Sequence, residues 1–247
     1  LWAYWQANDA RSTRTVDHSA WDAFLKTHVK PGRDGINRLD YGGVGRSDYA
    51  ALNDYVSALA AIPVRRLNRA EQRAYWINLY NALTVQTVLQ HYPVKSIRDI
   101  DISPGLFASG PWGKKLLTVD GEAVSLDDIE HRILRPLWQD PRLHYAVNCA
   151  SLGCPNLQRD AFTAANSDAL LDQGAREYIN HPRGVRFNGE RLLASSIYDW
   201  FKADFGGSDR GVIAHWQKYA AADLQRRLAG QSNIAGHDYD WSLNDAR

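Results

Sequence analysis

The sequence predicts an α+β fold, helix-rich at both ends, with a small antiparallel sheet built from hairpins between them. Three observations point there. Apolar residues recur at three- and four-residue spacing behind Asp17, Ser47 and Asn68. The stretches 116–125 and 185–193 instead carry Asp-Gly and Asn-Gly at their centres, the dipeptides of tight hairpin turns. No repeat, long linker or low-complexity tract separates these parts, so residues 1–247 read as one domain.

In chain order, Asp17 followed by Trp21, Phe24 and Leu25 predicts a capped helix over about 18–30, stopped by Pro31-Gly32. Residues 32–45, with five glycines and no periodicity, read as loop. Those glycines fit neither a dinucleotide fingerprint nor a phosphate loop. Ser47 is expected to cap a helix to about 61, ended by Pro63, and Asn68 with Glu71 to start another that runs to about 91. Asp120-Gly121 turns the first hairpin. Ser125 with Asp128 opens a helix to about 134 that Pro136 should terminate. Residues 142–149 read as a buried strand and 150–157 as a tight loop, followed by helix over 166–180. Asn188-Gly189 is expected at the tip of the second hairpin, and two helices, 196–204 and 208–228, close the chain.

Lys and Arg number 29 against 28 Asp and Glu, so the net charge of +1 offers no electrostatic footprint for nucleic acid. The longest apolar regions, such as 50–64, are broken by Asn53, Asp54 and Ser57, which excludes an apolar run long enough to span a bilayer as a helix. Residue 1 is Leu and the chain contains no Met, which leads to the expectation of a periplasmic or secreted protein trimmed of a leader. Nine tryptophans and twelve tyrosines are spread along the chain, and Trp21, Trp76 and Trp200 fall at spacings expected of core residues.

The two cysteines, Cys149 and Cys154, lie in one short loop. They are open to four readings: a disulfide or inert buried thiols, a redox couple, a metal site completed by His131 and His144, or one nucleophile. Zinc normally takes four ligands in two short pairs, and one pair is missing here, so no metal and no cofactor is expected. As nucleophile, Cys149 would need a base. His144 is five residues away, on the opposite face of an alternating strand, so His131 from the preceding helix is the better candidate, with Glu130 beside it. Backbone N–H groups of the loop after Cys149 would hold an oxyanion. Glu71 is either a capping residue or a site residue. Asn78 and Asn81, amides one turn apart on a helix, belong either to a buried network or to substrate binding. Ser151 is a turn residue or a substrate contact, since its neighbours do not form GxSxG.

Several ordered blocks together resemble the DUF547 family. They are 71–83 (EQRAYWINLYNAL), 125–131 (SLDDIEH) with Leu134-Arg135-Pro136, 140–144 (DPRLH), 148–155 (NCASLGCP) and the closing 239–244 (YDWSLN). The resemblance spans about residues 15–245. It implies a domain of unknown function and, in stand-alone bacterial members, export; it brings no catalytic residue set. Glu71, Asn78, Asn81, Glu130, His131, His144, Cys149 and Cys154 are site candidates because they stand in the matching blocks. The leading expectation is a cysteine-dependent hydrolase or acyltransferase acting on a peptide, ester or other small acyl compound. The alternatives are a thiol-disulfide redox protein and a non-catalytic binding module stapled by a Cys149–Cys154 disulfide.

Overall fold

The computed structural model of the chain describes residues 1–105 and 109–247. It is a helix-rich α+β fold with small sheets. Helix α1 (Ser19–His28) leads into a short hairpin, β1 (Val29–Pro31) and β2 (Asn37–Leu39), which lies inside the stretch expected to be loop. Helix α2 (Arg46–Ala60) begins one residue before Ser47; Gly45 is the cap residue and no side chain caps the helix.

Helix α3 (Arg69–His91) starts as expected, with the Asn68 side chain accepting the Glu71 N–H. From Ala74 to Val85 every residue is buried, so α3 is the central element of the larger hydrophobic cluster. Burial on all sides explains its amides. Loops packed against a buried helix bring backbone groups that cannot reach water and must be paired. Gln72 donates to the Ala7 and Val64 carbonyls, and Asn78 brackets Phe162 through both its N–H and its C=O. Asn81 donates to the Ala146 carbonyl and accepts the Asn148 N–H.

Strands β3 (Leu117–Val119) and β4 (Glu122–Val124) form the first expected hairpin, and Asp120 and Gly121 both take the positive φ of a type I′ turn. Ser125 and Asp128 then exchange hydrogen bonds and open a helix, but its first part, Asp128–Leu134, is a π-helix. Pro136 does not end it. The widened turn passes directly into α4 (Arg135–Trp138), and Pro136 continues it as that segment's second residue.

The strand expected at 142–149 is absent. Pro141 and the Asp140 carboxylate, which accepts the Arg142 N–H, start a 3-10 helix over Pro141–Tyr145 instead. A short apolar run is ambiguous between helix and strand. This one divides its side chains between two cores: Leu143, Ala146 and Val147 join the cluster around α3, while Tyr145 enters a second cluster.

That second cluster is built from α5 (Ser167–Ile179), β5 (Val185–Asn188), β6 (Arg191–Ser195) and the C-terminal helices. The β5–β6 turn is Gly189-Glu190, one residue later than expected, with only Gly189 at positive φ, as in a II′ turn. The sheet is not purely antiparallel, because β7 (Gly236–Asp238) adds to β6 in parallel. Both expected C-terminal helices are interrupted. The first is α6 (Ile197–Trp200) followed by a 3-10 turn. The second is split into α7 (Asp209–Gln217) and α8 (Ala222–Leu228), because the Asn180 side chain takes the Tyr219 C=O and the Ala221 N–H between them. Among the described residues no helix is long and apolar enough to cross a membrane.

Candidate functional site

The loop carrying both cysteines is held from two sides. Asn148, itself fixed by Asn81, accepts the Ala150 N–H and donates to the Pro155 carbonyl, so its side chain closes the loop internally. From outside, the C-terminal segment runs along it: Leu152 N–H and Gly153 N–H donate to the Ser242 and Asp240 carbonyls, and Asn244 N–H donates to the Ala150 carbonyl. Gly153 is required there, since a Cβ would lie 2.8 Å from the Asp240 backbone. Ala150, directly after Cys149, sits at φ +58, a conformation that costs a non-glycine residue about 1–2 kcal/mol. Such strain next to a reactive side chain is a common feature of functional turns.

Both cysteines are free thiols. Cys149 is half-buried and Cys154 is buried, and the Cys149 N–H donates to Cys154 Sγ at 3.0 Å. Cys149 Sγ also lies 3.0 Å from the Tyr239 hydroxyl and 3.4 Å from that of Ser151, and the two hydroxyls are 2.8 Å apart. Its hydrogen bond with Cys154, together with burial, pushes the Cys149 thiol up. Burial would raise Cys154 as well, but hydrogen bonds from Cys149, Tyr239 and Ser151 outweigh it and bring Cys154 down to about 7. Of the two thiols, the inner one is therefore the easier to ionise.

Cys149 opens into a cavity of about 180 Å³. One part of its wall comes from Tyr80, Glu130, His131 and His144; the opposite part comes from Trp200, Phe201, Tyr239 and Trp241, with Trp112 and Asp127 also on the wall. His144 is tightly placed. Its Nε2 bonds Asp204 at 2.7 Å, its ring stacks on Phe201 with centroids 4.3 Å apart, and its Nδ1 lies 3.9 Å from Glu130. Burial opposes ionisation of Asp204, yet hydrogen bonds from His144 and Arg135 hold its carboxyl well below the usual range. Asp127 is pushed the other way, up, by burial and by the neighbouring carboxylates Glu130 and Asp128.

The placement of the expected site residues is uneven. Cys149, Cys154, Glu130, His131 and His144 all line the one cavity. The absence of a strand brings His144 to the side of Cys149, against the alternation argument. Neither imidazole hydrogen-bonds a sulfur among the described residues: His131 Nδ1 accepts from Arg135, and its Nε2 is 3.7 Å from Asp127. Of the loop N–H groups expected to hold an oxyanion, those of Cys149, Ala150, Leu152, Gly153 and Cys154 are used within the protein, which leaves that of Ser151. Ser151 touches the sulfur cluster, whereas Asn78 and Asn81 pin loops behind it and Glu71 accepts the Val16 N–H far along α3. Among the described residues no three His, Cys, Asp or Glu side chains gather as a metal site. Asp204, Tyr239, Trp112 and Trp241 had not been singled out. Trp200, expected in the core, is instead 48% exposed at the cavity. The only sequence signal for Tyr239 and Trp241 was the closing block 239–244.

Residues 64–179 match the family model DUF547, described as a protein of unknown function. The chain carries a DUF547 domain. No curated protein and no solved structure matches the chain. The matched segment of the DUF547 domain supplies the two thiols, both histidines and Glu130, while Asp204 and the Trp200, Tyr239 and Trp241 wall come from beyond it.

Proposed function

We propose that this DUF547 protein is a thiol-dependent hydrolase or acyltransferase with Cys149 as nucleophile. The observation that carries the reading is the half-buried Cys149 sulfur, on a strained turn, opening into a cavity whose wall also holds the Asp204-anchored His144. Cys149 Sγ would attack the substrate carbonyl while its proton passes to the Cys154 thiolate, so the inner cysteine serves as the base. The hydroxyls of Tyr239 and Ser151 would donate to the carbonyl oxygen, in place of backbone N–H groups. With Nε2 bonded to Asp204, His144 presents Nδ1 toward the cavity and Glu130, where a protonated imidazole can give its proton to the leaving group.

Two measurements test this. Iodoacetamide labelling mapped by mass spectrometry is expected to modify Cys149 ahead of Cys154, because Cys149 alone is half-exposed, and with a midpoint above the roughly 8.5 of a free thiol, because its thiol is pushed up. Cys154→Ser should move that midpoint downward, since the hydrogen bond with Cys154 is the main cause of the raised Cys149 thiol. Protein that labels at neither cysteine up to pH 9 would exclude the nucleophile. Hydrolysis of a small activated ester or thioester should fall at least roughly 100-fold in Cys149→Ser, since a serine hydroxyl is far less acidic than the thiol and the Cys154 thiolate is too weak a base to activate it.

A second reading, a thiol-disulfide couple, is favoured by one feature: the Cys149 N–H to Cys154 Sγ hydrogen bond makes the two cysteines direct neighbours. In that reading the pair gives two electrons and two protons to a disulfide substrate and becomes a Cys149–Cys154 disulfide. Turnover of a disulfide substrate with no ester hydrolysis would select it.

A further inference from the structure

The cavity wall has a composition that the thiol chemistry does not use. Six aromatic side chains, Tyr80, Trp112, Trp200, Phe201, Tyr239 and Trp241, surround it together with the carboxylates of Asp127 and Glu130, and neither lysine nor arginine lines it. The aromatic wall is continuous. Trp200, Tyr239 and Trp241 pack on one another with centroids 4.7–5.7 Å apart, and Trp112 meets Trp241 at 5.8 Å. Glu130 is 9% exposed, and the nearest imidazole nitrogens stand 3.9 Å from its carboxylate, beyond hydrogen-bond range. The Tyr80 hydroxyl is its hydrogen-bond partner, and the carboxylate can take a further positive group from the cavity side.

Aromatic faces and a carboxylate around a small cavity recognise an alkylammonium group, which is attracted by the ring quadrupoles and needs few hydrogen bonds. Trp241 already has Arg98 over its ring at 5.3 Å and Phe201 has Arg135 at 4.8 Å, and neither arginine lines the cavity. Tyr80, Trp112, Trp200 and Tyr239 have no cation over their rings among the described residues. The size is suitable, since a cavity of roughly 150 Å³ accepts a benzene-sized group. We propose that this cavity is an ammonium-binding cage, and that the substrate is a cationic acyl compound, an ester or amide whose alkylammonium or trimethylammonium group sits between the aromatic wall and Glu130. The cage stands on the cavity alone; the substrate class rests on the acyl-transfer reading.

The test uses the full chain and two probes of nearly equal shape, choline and its neutral carbon isostere 3,3-dimethylbutan-1-ol. Binding is followed by tryptophan emission and by saturation transfer from protein to ligand methyl groups. Choline is expected to bind at least tenfold more tightly than the isostere. Trp200→Ala, at a half-exposed position that does not threaten folding, should weaken choline by roughly threefold to tenfold. Glu130→Gln should erase the preference for charge. Equal binding of the two probes, or binding of neither, overturns the cage. Iodoacetamide labelling of the parent protein, read beside the choline titration, separates the two ideas: choline preference without Cys149 labelling leaves the cage and removes the nucleophile, and labelling without choline preference does the reverse.

Discussion

Taking the protein from pH 6.5 to about 4 is expected to remove up to about 7 kcal/mol of its folding stability, and two buried histidines are the reason. His18 bonds the Tyr55 hydroxyl through Nδ1 and has no partner on Nε2, and His215 bonds the Tyr145 hydroxyl. Burial lowers both from 6.5 to about 4; the slight pull of Asp17 on His18 does not compensate. Below pH 6.5 the unfolded chain therefore takes up a proton at each imidazole while the folded chain takes up none until about pH 4. Stability is fully present above pH 6.5 and falls as the pH drops through this window, at about 1.4 kcal/mol per unit per group. The two together approach about 7 kcal/mol at the limit, against a typical total of about 5–15 kcal/mol. Asp204 adds nothing to this slope, since its folded and unfolded values both lie below the window. Urea midpoints at pH 7, 6 and 5 measure the effect, and His18→Gln with His215→Gln should flatten it. Midpoints that do not move between pH 7 and 5 in the parent protein would show that these imidazoles charge freely in the folded state.

Asn148→Ala is expected to cost about 3–9 kcal/mol and to release the cysteine loop. The side chain satisfies the Ala150 N–H, the Pro155 carbonyl and, at 3.3 Å, the Asn244 amide, all within buried surroundings. Each partner left unpaired loses about 1–3 kcal/mol, which sets the range. The left-handed conformation of Ala150 is held by this amide and by the Asn244 N–H on its carbonyl, so the turn should relax once the amide is gone. Denaturant titration reads the stability, and iodoacetamide labelling of Cys154, slow in the parent because the sulfur is buried, should become fast. A variant that keeps both its stability and its slow Cys154 labelling would show that the C-terminal segment alone fixes the loop.

Helix α3 and the hairpin at Asp120-Gly121 were legible because their signals are local. Asn68 needs only Glu71 three residues on, and a primed turn needs only two residues that tolerate positive φ. The run 142–149 was not legible, because its apolar residues serve two different cores and show neither period. Asn78 and Asn81 announced themselves as unusual in a helix interior. What they do, pairing backbone groups of Phe162 and Asn148 that lie 84 and 67 residues away, has no sequence signature.

By itself the sequence determined the fold class, the DUF547 assignment and the residue types available for chemistry, because capping, turn formation and motif blocks are properties of neighbouring residues. Tertiary structure alone decided which of those residues meet. It placed His144 on the wall that Cys149 opens into, gave His144 its partner Asp204, and set Tyr239 and Ser151 against the Cys149 sulfur. It also used up most of the loop N–H groups expected to form an oxyanion hole. The physical reason is that hydrogen bonds and burial are settled by whatever packs against a group. For the cysteine loop that is the segment 239–244, about 90 residues further along the chain.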